Sequence, residues 1–263
     1  MKEKFDILEY NREAWNKYSE EGISPWVIPI SSDELKKARE GDVRIFLTPT
    51  KIVPKKWFPP LKGCKVLCLA SGGGQQAPLL SAAGADVTTF DNSDRQLQAD
   101  IDTCRVYGLP LNAERGDMRD LSRFASGSFD LIIHPVSNLF IDDVRIVWKE
   151  AYRVLRKGGR MLAGFNNPII YLFNGIKMER GELEVAHILP YSPFNEDAKQ
   201  ETERWMKDGD ALEWGHSLED QIGGQTDAGF AIVGMYEDTN RKDSAMALDR
   251  YTSVYIATAA VKL

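Results

Sequence analysis

Short apolar runs and longer stretches with apolar residues three or four apart take turns along the middle of the chain, and their succession predicts strands alternating with helices. Val66-Leu-Cys-Leu69 is continuously apolar and leads straight into Gly72-Gly-Gly74 and then a helix. Val87-Thr-Thr-Phe-Asp91 is a second strand, a short third lies near Asn112–Arg115, Phe129-Asp-Leu-Ile-Ile-His134 is the fourth, and Arg160–Phe165 the fifth. Ser93-Asp-Arg-Gln96 reads as a capping box, followed by one buried stripe of Leu97, Ile101 and Cys104 at i, i+4 and i+7. Val144, Val147, Trp148, Ala151, Tyr152 and Leu155 give a later helix its apolar side, and Gly158-Gly159 is expected to stop it. Such alternation implies a parallel sheet with helices on both faces.

The flanks depart from this rhythm. Residues 1–62 precede the first strand and hold a predicted helix at Asn11–Ser19, an extended apolar run at Ser24–Ile30 and a helix start at Ser32-Asp-Glu-Leu35. Prolines 49, 54, 59 and 60 then lead into the sheet. So many aromatic residues in a leader imply that it packs over something, and it reads as a lid. Residues 167–215, with Tyr171, Phe173, Tyr191, Phe194 and a charged helix at Glu196–Lys207, are too long for a crossover and read as a cap insertion. That charged helix is most simply a solvated face. Ser217-Leu-Glu-Asp220 caps another helix that Gly229 ends, and two strands follow at Phe230–Glu237 and Tyr251–Ala260. Residues 1–263 are expected to form one domain.

Composition narrows the function. The chain has 263 residues, 43% hydrophobic and 27% charged, as in ordinary globular proteins. Its net charge of −6 argues against nucleic acid or an anionic membrane as partner. No stretch approaches the roughly 20 apolar residues that span a bilayer. The opening Met1-Lys-Glu-Lys-Phe-Asp6 lacks the apolar core of a secretory signal. Cys64, Cys68 and Cys104 read as free buried thiols, which fits a cytoplasmic protein. Three histidines and a C-x3-C pair form no recognisable metal set.

The chemistry concentrates where the first strand meets the glycines. Glycine at a strand-to-helix turn lets bare backbone approach a ligand, and an acid ending the next strand, Asp91, suits a ribose diol. Gly72-Gly-Gly-Gln-Gln-Ala77 satisfies the dinucleotide pattern G-x-G-x-x-G/A, so NAD fits these residues as well as S-adenosylmethionine does.

The wider sequence favours the second. The segments VLCLASGGG, TTFDNS, GDMRDL, SFDLIIHPVSN and EAYRVLRKGGRML occur in that order over roughly residues 60–170. Together they resemble class I S-adenosylmethionine-dependent methyltransferases of the small-molecule bacterial group. The resemblance implies a doubly wound, mostly parallel seven-stranded α/β sheet in the order 3-2-1-4-5-7-6 with an antiparallel last strand. It also implies S-adenosylmethionine as cofactor and a small-molecule methyl acceptor. A non-catalytic S-adenosylmethionine-binding protein and an NAD(P)-dependent oxidoreductase are the competing readings. Two positions depart from the family pattern: Cys68 stands where an acid is usual, and Ala70 where a glycine is usual.

By the same resemblance, Ala70, Ser71, Gly72, Gly73 and Gly74 are expected to present backbone to the methionine carboxylate, with Gln76 at the helix start in reach of it. Asp91 takes the ribose diol, Asn92 neighbours the adenine edge with Gln96 a turn further on, and Asp117 and Met118 face the adenine. His134 and Asn138, after the fourth strand, are expected to border cofactor and acceptor. His134 serves either as a general base or as a hydrogen-bonding group, the latter having more weight. Tyr18, Trp26 and Tyr171, with Trp15, line the acceptor pocket or, individually more often, pack the lid.

Overall fold

The computed structural model describes residues 5–263. The first four residues of the charged opening segment lie outside the described residues. Seven strands form one sheet in the order β3-β2-β1-β4-β5-β7-β6. They are β1 Lys65–Leu69, β2 Asp86–Asp91, β3 Asn112–Arg115, β4 Phe129–His134, β5 Leu155–Asn166, β6 Phe230–Asp238 and β7 Tyr255–Lys262. β1 to β5 pair in parallel, and β7 runs antiparallel to both β5 and β6.

Eight α-helices accompany the sheet among the described residues: α1 Ile7–Glu21, α2 Ser32–Arg39, α3 Gln76–Ala82, α4 Asp94–Tyr107, α5 Val144–Val154, α6 Gly175–Glu179, α7 Lys199–Asp208 and α8 Gly224–Asp227. None is long and apolar enough to cross a membrane. Val66 and Cys68 point into one buried cluster and Leu67 and Leu69 into the other, so the central strand is apolar without interruption.

Three local readings change. α5 ends at Val154, and Leu155 already pairs with Phe129 in the sheet, so Gly158 and Gly159 lie inside β5 rather than stopping a helix. The buried stripe of α4 runs through Leu97, Asp100 and Cys104, with Ile101 only half-buried. α7 is not wholly solvated: Glu201 is buried and pairs at 2.5 Å with the buried His187.

The leader is built into the molecule. Leu35, Ala38, Ile45, Leu47, Val53 and Trp57 are core residues of the same cluster as Val66 and Cys68. A side chain at Gly164 would overlap the Leu47 carbonyl, and one at Gly234 would overlap the Trp57 indole. Asp238, at the end of β6, accepts hydrogen bonds from Thr48 Oγ1 at 2.7 Å, Thr50 N at 2.8 Å and Lys51 N at 3.0 Å. Burial pushes its carboxyl pKa up, but the hydroxyls of Thr50 and Thr48 and the amides of Thr50 and Thr239 outweigh that and hold it below the usual carboxylate value. The leader is thus tied to the far edge of the sheet by one charged group.

Candidate active site

Beyond Leu69 the chain turns at Ala70, whose φ of +48° is the left-handed conformation that a glycine adopts freely. An alanine there stores about 1–2 kcal/mol. Three glycine amides then find acceptors inside the protein: Gly72 on Asp91 Oδ2 at 3.1 Å, Gly73 on the Gln96 carbonyl at 3.0 Å, and Gly74 on Asp100 Oδ1 at 2.7 Å. Within Ser71–Gly74 only the Ser71 amide lacks an acceptor among the described residues. The glycine amides were expected to face a ligand, so this is a correction with a steric cause. A Cβ on Gly72 would meet Gln96, and one on Gly73 would overlap the Trp26 carbonyl. The glycines admit helix α4 and the leader to the turn.

The leader closes over this turn. Ile30 donates to the Gly74 carbonyl at 2.8 Å, and Gln75 Nε2 donates to the carbonyls of Pro25 and Ile28 at 2.7 Å each. α1 lies alongside, with Asn92 Nδ2 donating to the Leu8 carbonyl at 2.9 Å and Ser93 Oγ to Asn16 Oδ1 at 2.7 Å. Asn11 staples α1 to two distant segments, donating to the carbonyls of Phe140 at 3.1 Å and Leu212 at 3.0 Å.

Beneath this cover is a cavity lined by Ala70, Ser71, Gly72, Gln76, Asp91, Asn92, Gln96, Asp117, Met118 and the 135–137 turn. Gly73 and Gly74 lie behind its wall. Asp91 accepts from the amides of Ser93 at 2.9 Å and Gly72 at 3.1 Å. Burial raises its pKa, and the amides of Ser93, Gly72 and Asn92 act against that. Each oxygen keeps a second lone-pair direction. Asp117 is clamped by Arg119, which also holds Asp142 at 2.6 Å. Ser71 Oγ, Gln76 Oε1 and both amide atoms of Gln96 are buried without a partner. Buried polar groups are normally paired, so this set marks where a polar ligand completes the wall. An amino acid end with its ammonium and carboxylate fits these donors and acceptors.

With a neutral thiol at Cys68, whose pKa burial pushes well up, the carboxylate under the glycine turn comes from α4. Asp100 has no exposed surface and holds Gly74 N and Thr89 Oγ1 at 2.7 Å each. Burial raises it to about 7. Its place in the Leu97–Cys104 stripe was the available signal, overlooked because an acid interrupts an apolar face.

His134 and Asn138 do not line the cavity. His134 is fully buried, its Nδ1 is 2.9 Å from the Leu69 carbonyl, and its ring meets Trp148 edge-on. Burial lowers its pKa to about 4, so it is neutral at pH 7, and it lines neither this cavity nor the one beside it. Asn138 is equally buried and forms a two-way amide pair with Gln221 at 3.0 and 3.1 Å. The end of a strand gives a residue's position, but the pleat turns His134 away from the ligand side, and Asn138 sits in a short helical turn beyond the strand.

A second cavity adjoins the first, and Trp15, Trp26, Val136 and Phe140 line both. Tyr18, Asn166, Asp210, Glu213 and Tyr255 are also in its wall. Trp26 and Tyr18 thus both face this cavity. Tyr171 is behind the wall, stacked on Tyr191 and donating to Glu213 Oε2 at 2.8 Å. Burial raises Glu213 to about 7, the Tyr171 hydroxyl opposing and the Asp210 charge adding to the effect. Among the described residues no group of histidines, cysteines and acids could hold a metal ion.

The comparisons with known proteins decide the family. Residues 67–163 match a methyltransferase domain model. Over 257 residues the chain is 46% identical to a Bacillus subtilis protein named as an uncharacterized methyltransferase, YbaJ, with 98% of this chain and 99% of the relative covered. The chain belongs to the methyltransferase family. S-adenosylmethionine is the cofactor of this methyltransferase, which the sheet order and the partnerless polar cavity wall also fit. In fold it is similar to an S-adenosylmethionine-dependent methyltransferase from Mesorhizobium loti, with a TM-score of 0.57 and 17% identity over 79% of this chain and 95% of that one. A geranyl diphosphate methyltransferase in complex with S-adenosylmethionine has a TM-score of 0.54 and 16% identity, over 79% of this chain and 82% of that one.

Proposed function

We propose that this methyltransferase transfers a methyl group from S-adenosylmethionine to a small-molecule acceptor held in the second cavity. The observation carrying this reading is the wall that the two cavities share. Trp15 and Trp26 from the leader and Val136 and Phe140 from the β4 side line both, so the leader roofs acceptor and cofactor together. An aromatic-lined cavity of this kind suits a compact ligand rather than a protein surface or a nucleic acid strand.

In this reading Ser71, Gln76 and Gln96 hold the amino acid end of the cofactor, Asp91 the ribose, and Asn92, Asp117 and Met118 the adenine. The bound cofactor supplies an activated methyl on a sulfonium. The chain's own task is to align the acceptor and exclude water, which the α1 and 24–30 cover serves. The leader is then the lid and the 167–215 segment the cap, all within one methyltransferase unit. Three free, buried cysteines favour a reducing compartment, the cytoplasm.

Calorimetry with S-adenosylmethionine and S-adenosylhomocysteine, with NADH as control, tests the cofactor half. A methyl-transfer screen over amines, phenols, thiols and carboxylic acids tests the acceptor half. Binding of both sulfur compounds but not NADH, and turnover of a small acceptor, is expected. Turnover only of a protein or nucleic acid would overturn the acceptor reading.

A further inference from the structure

The charge in the wall of the second cavity is one-sided. Two carboxylates, Asp210 and Glu213, line it together with Asn166, and among the described residues no lysine, arginine or histidine does. The protein satisfies one oxygen of each acid with a hydroxyl: Tyr18 donates to Asp210 Oδ1 at 3.1 Å and Tyr171 to Glu213 Oε2 at 2.8 Å. Asn166 turns its amide nitrogen to the Tyr171 hydroxyl at 2.8 Å, and its Oδ1 is buried without a partner. Asn166 Oδ1 is therefore a buried acceptor without a donor, and Glu213 Oε1 and Asp210 Oδ2 take no hydrogen bond from the described residues. Around them stand flat aromatic surfaces, with Trp15 edge-on to Phe140 at 5.3 Å and to Tyr18 at 5.4 Å.

We infer that the acceptor is a protonated amine on a flat apolar body, its ammonium held by Glu213 and Asp210 and its body lying against Trp15, Trp26 and Phe140. The inference rests on the methyl-transfer reading above. A carboxylate or phosphate brought here would meet like charge with no cation in the wall to offset it. A neutral alcohol would leave at least one acid uncompensated. An ammonium supplies several donors to orphaned acceptors, and aromatic faces favour a cation as well. Burial is the main cause of Glu213's raised pKa, and the Asp210 charge adds to it, so a cation placed here would be favoured by both acids. An ammonium has no free electron pair. When Glu213 takes one N–H proton, the bonding pair stays on nitrogen as the lone pair the reaction needs, and the proton leaves later to solvent.

The test is calorimetry on the full chain saturated with S-adenosylhomocysteine, whose own binding is measured first. The probes are 2-phenylethylamine, 2-phenylethanol and phenylacetate, on the wild type, Glu213→Gln and Asp210→Asn. The amine is expected to bind at least about tenfold more tightly than either analogue, and Glu213→Gln to remove about tenfold or more of its affinity while S-adenosylhomocysteine affinity holds. Equal or tighter binding of the alcohol or acid, no binding of the amine, or an unchanged amine preference in Glu213→Gln overturns the inference. Should Glu213→Gln not fold, the wild-type ranking and Asp210→Asn decide. Failure to bind S-adenosylhomocysteine would instead strike the reading beneath it.

Discussion

Replacing Gly73 by alanine separates two explanations of the glycine turn. Gly73 has φ +115°, and a Cβ there would come closer than 3.0 Å to the Trp26 carbonyl and to Gln96 Oε1. The conformation alone costs about 1–3 kcal/mol for a residue with a Cβ. The overlap is with backbone, so no side-chain rotation relieves it, and the 24–30 segment has to lift. Lifting forfeits the Ile30 bond to Gly74 and the two Gln75 bonds to Pro25 and Ile28, each worth about 1 kcal/mol net. Together these terms give an expected loss of about 4–6 kcal/mol for Gly73→Ala, roughly 8–24 °C in melting temperature for a chain this size. Its S-adenosylhomocysteine affinity is expected to fall at least about tenfold, because Trp26 leaves the cavity wall. Gly41→Ala is the control: φ is +89° there, but nothing lies within 4 Å, so it carries the conformational strain alone. Thermal melts and calorimetry on both variants read the difference. Wild-type cofactor affinity in Gly73→Ala, with a melting shift no larger than that of Gly41→Ala, would refute the reasoning.

Three further outcomes are expected. Asp91→Ala removes the acceptor of two amides and of the ribose, so cofactor affinity drops about 10–100-fold with the circular dichroism spectrum unchanged; wild-type affinity would take Asp91 out of the site. Burial raises Asp100 from the ordinary 3.8 to about 7, so the folded state holds the extra proton between those values and stability declines as pH rises across that window. Asp100→Asn is expected to flatten that decline in urea titrations from pH 4 to 7, and an undiminished slope counts against it. His134, lowered from 6.5 to about 4, stabilises the fold in its neutral form; that contribution is present above 6.5 and is lost as pH falls toward 4. In His134→Gln the loss over that range is expected to shrink while S-adenosylhomocysteine affinity stays within about threefold; a large affinity loss would return His134 to the cofactor site.

The sheet was legible because each buried strand had to be short, apolar and bounded, and the side-chain rules for that are local. Gly158-Gly159 misled for a local reason as well: glycines after a helical stripe usually end it, but Leu155 pairs with Phe129 and the strand begins three residues earlier. Asp91, Asn92 and Gln96 lie between the end of β2 and the start of α4 and Met118 follows β3, so local sequence alone brings these four to one edge of the sheet. Asp210 and Glu213 were not legible in this way, because their placement depends on contacts across some two hundred positions. Tyr18 accepts from the Ala211 amide at 2.9 Å, and Leu212 N donates to Asn11 Oδ1 at 2.9 Å. Nothing in the hydrophobic pattern around residue 213 encodes a partner near residue 11.

The interlock of Leu47 with Gly164 and of Trp57 with Gly234 bears on how this enzyme can be divided. A fragment cut to the matched residues 67–163 lacks both β6–β7 and the side chains of Leu35, Ile45 and Leu47 that fill the core beside β1. For protein engineering, the smallest transplantable piece is accordingly larger than the homology boundary. A chimera that borrows the leader of a relative has to carry its matching β5 and β6 glycines along with it, or the donor backbone has nowhere to lie.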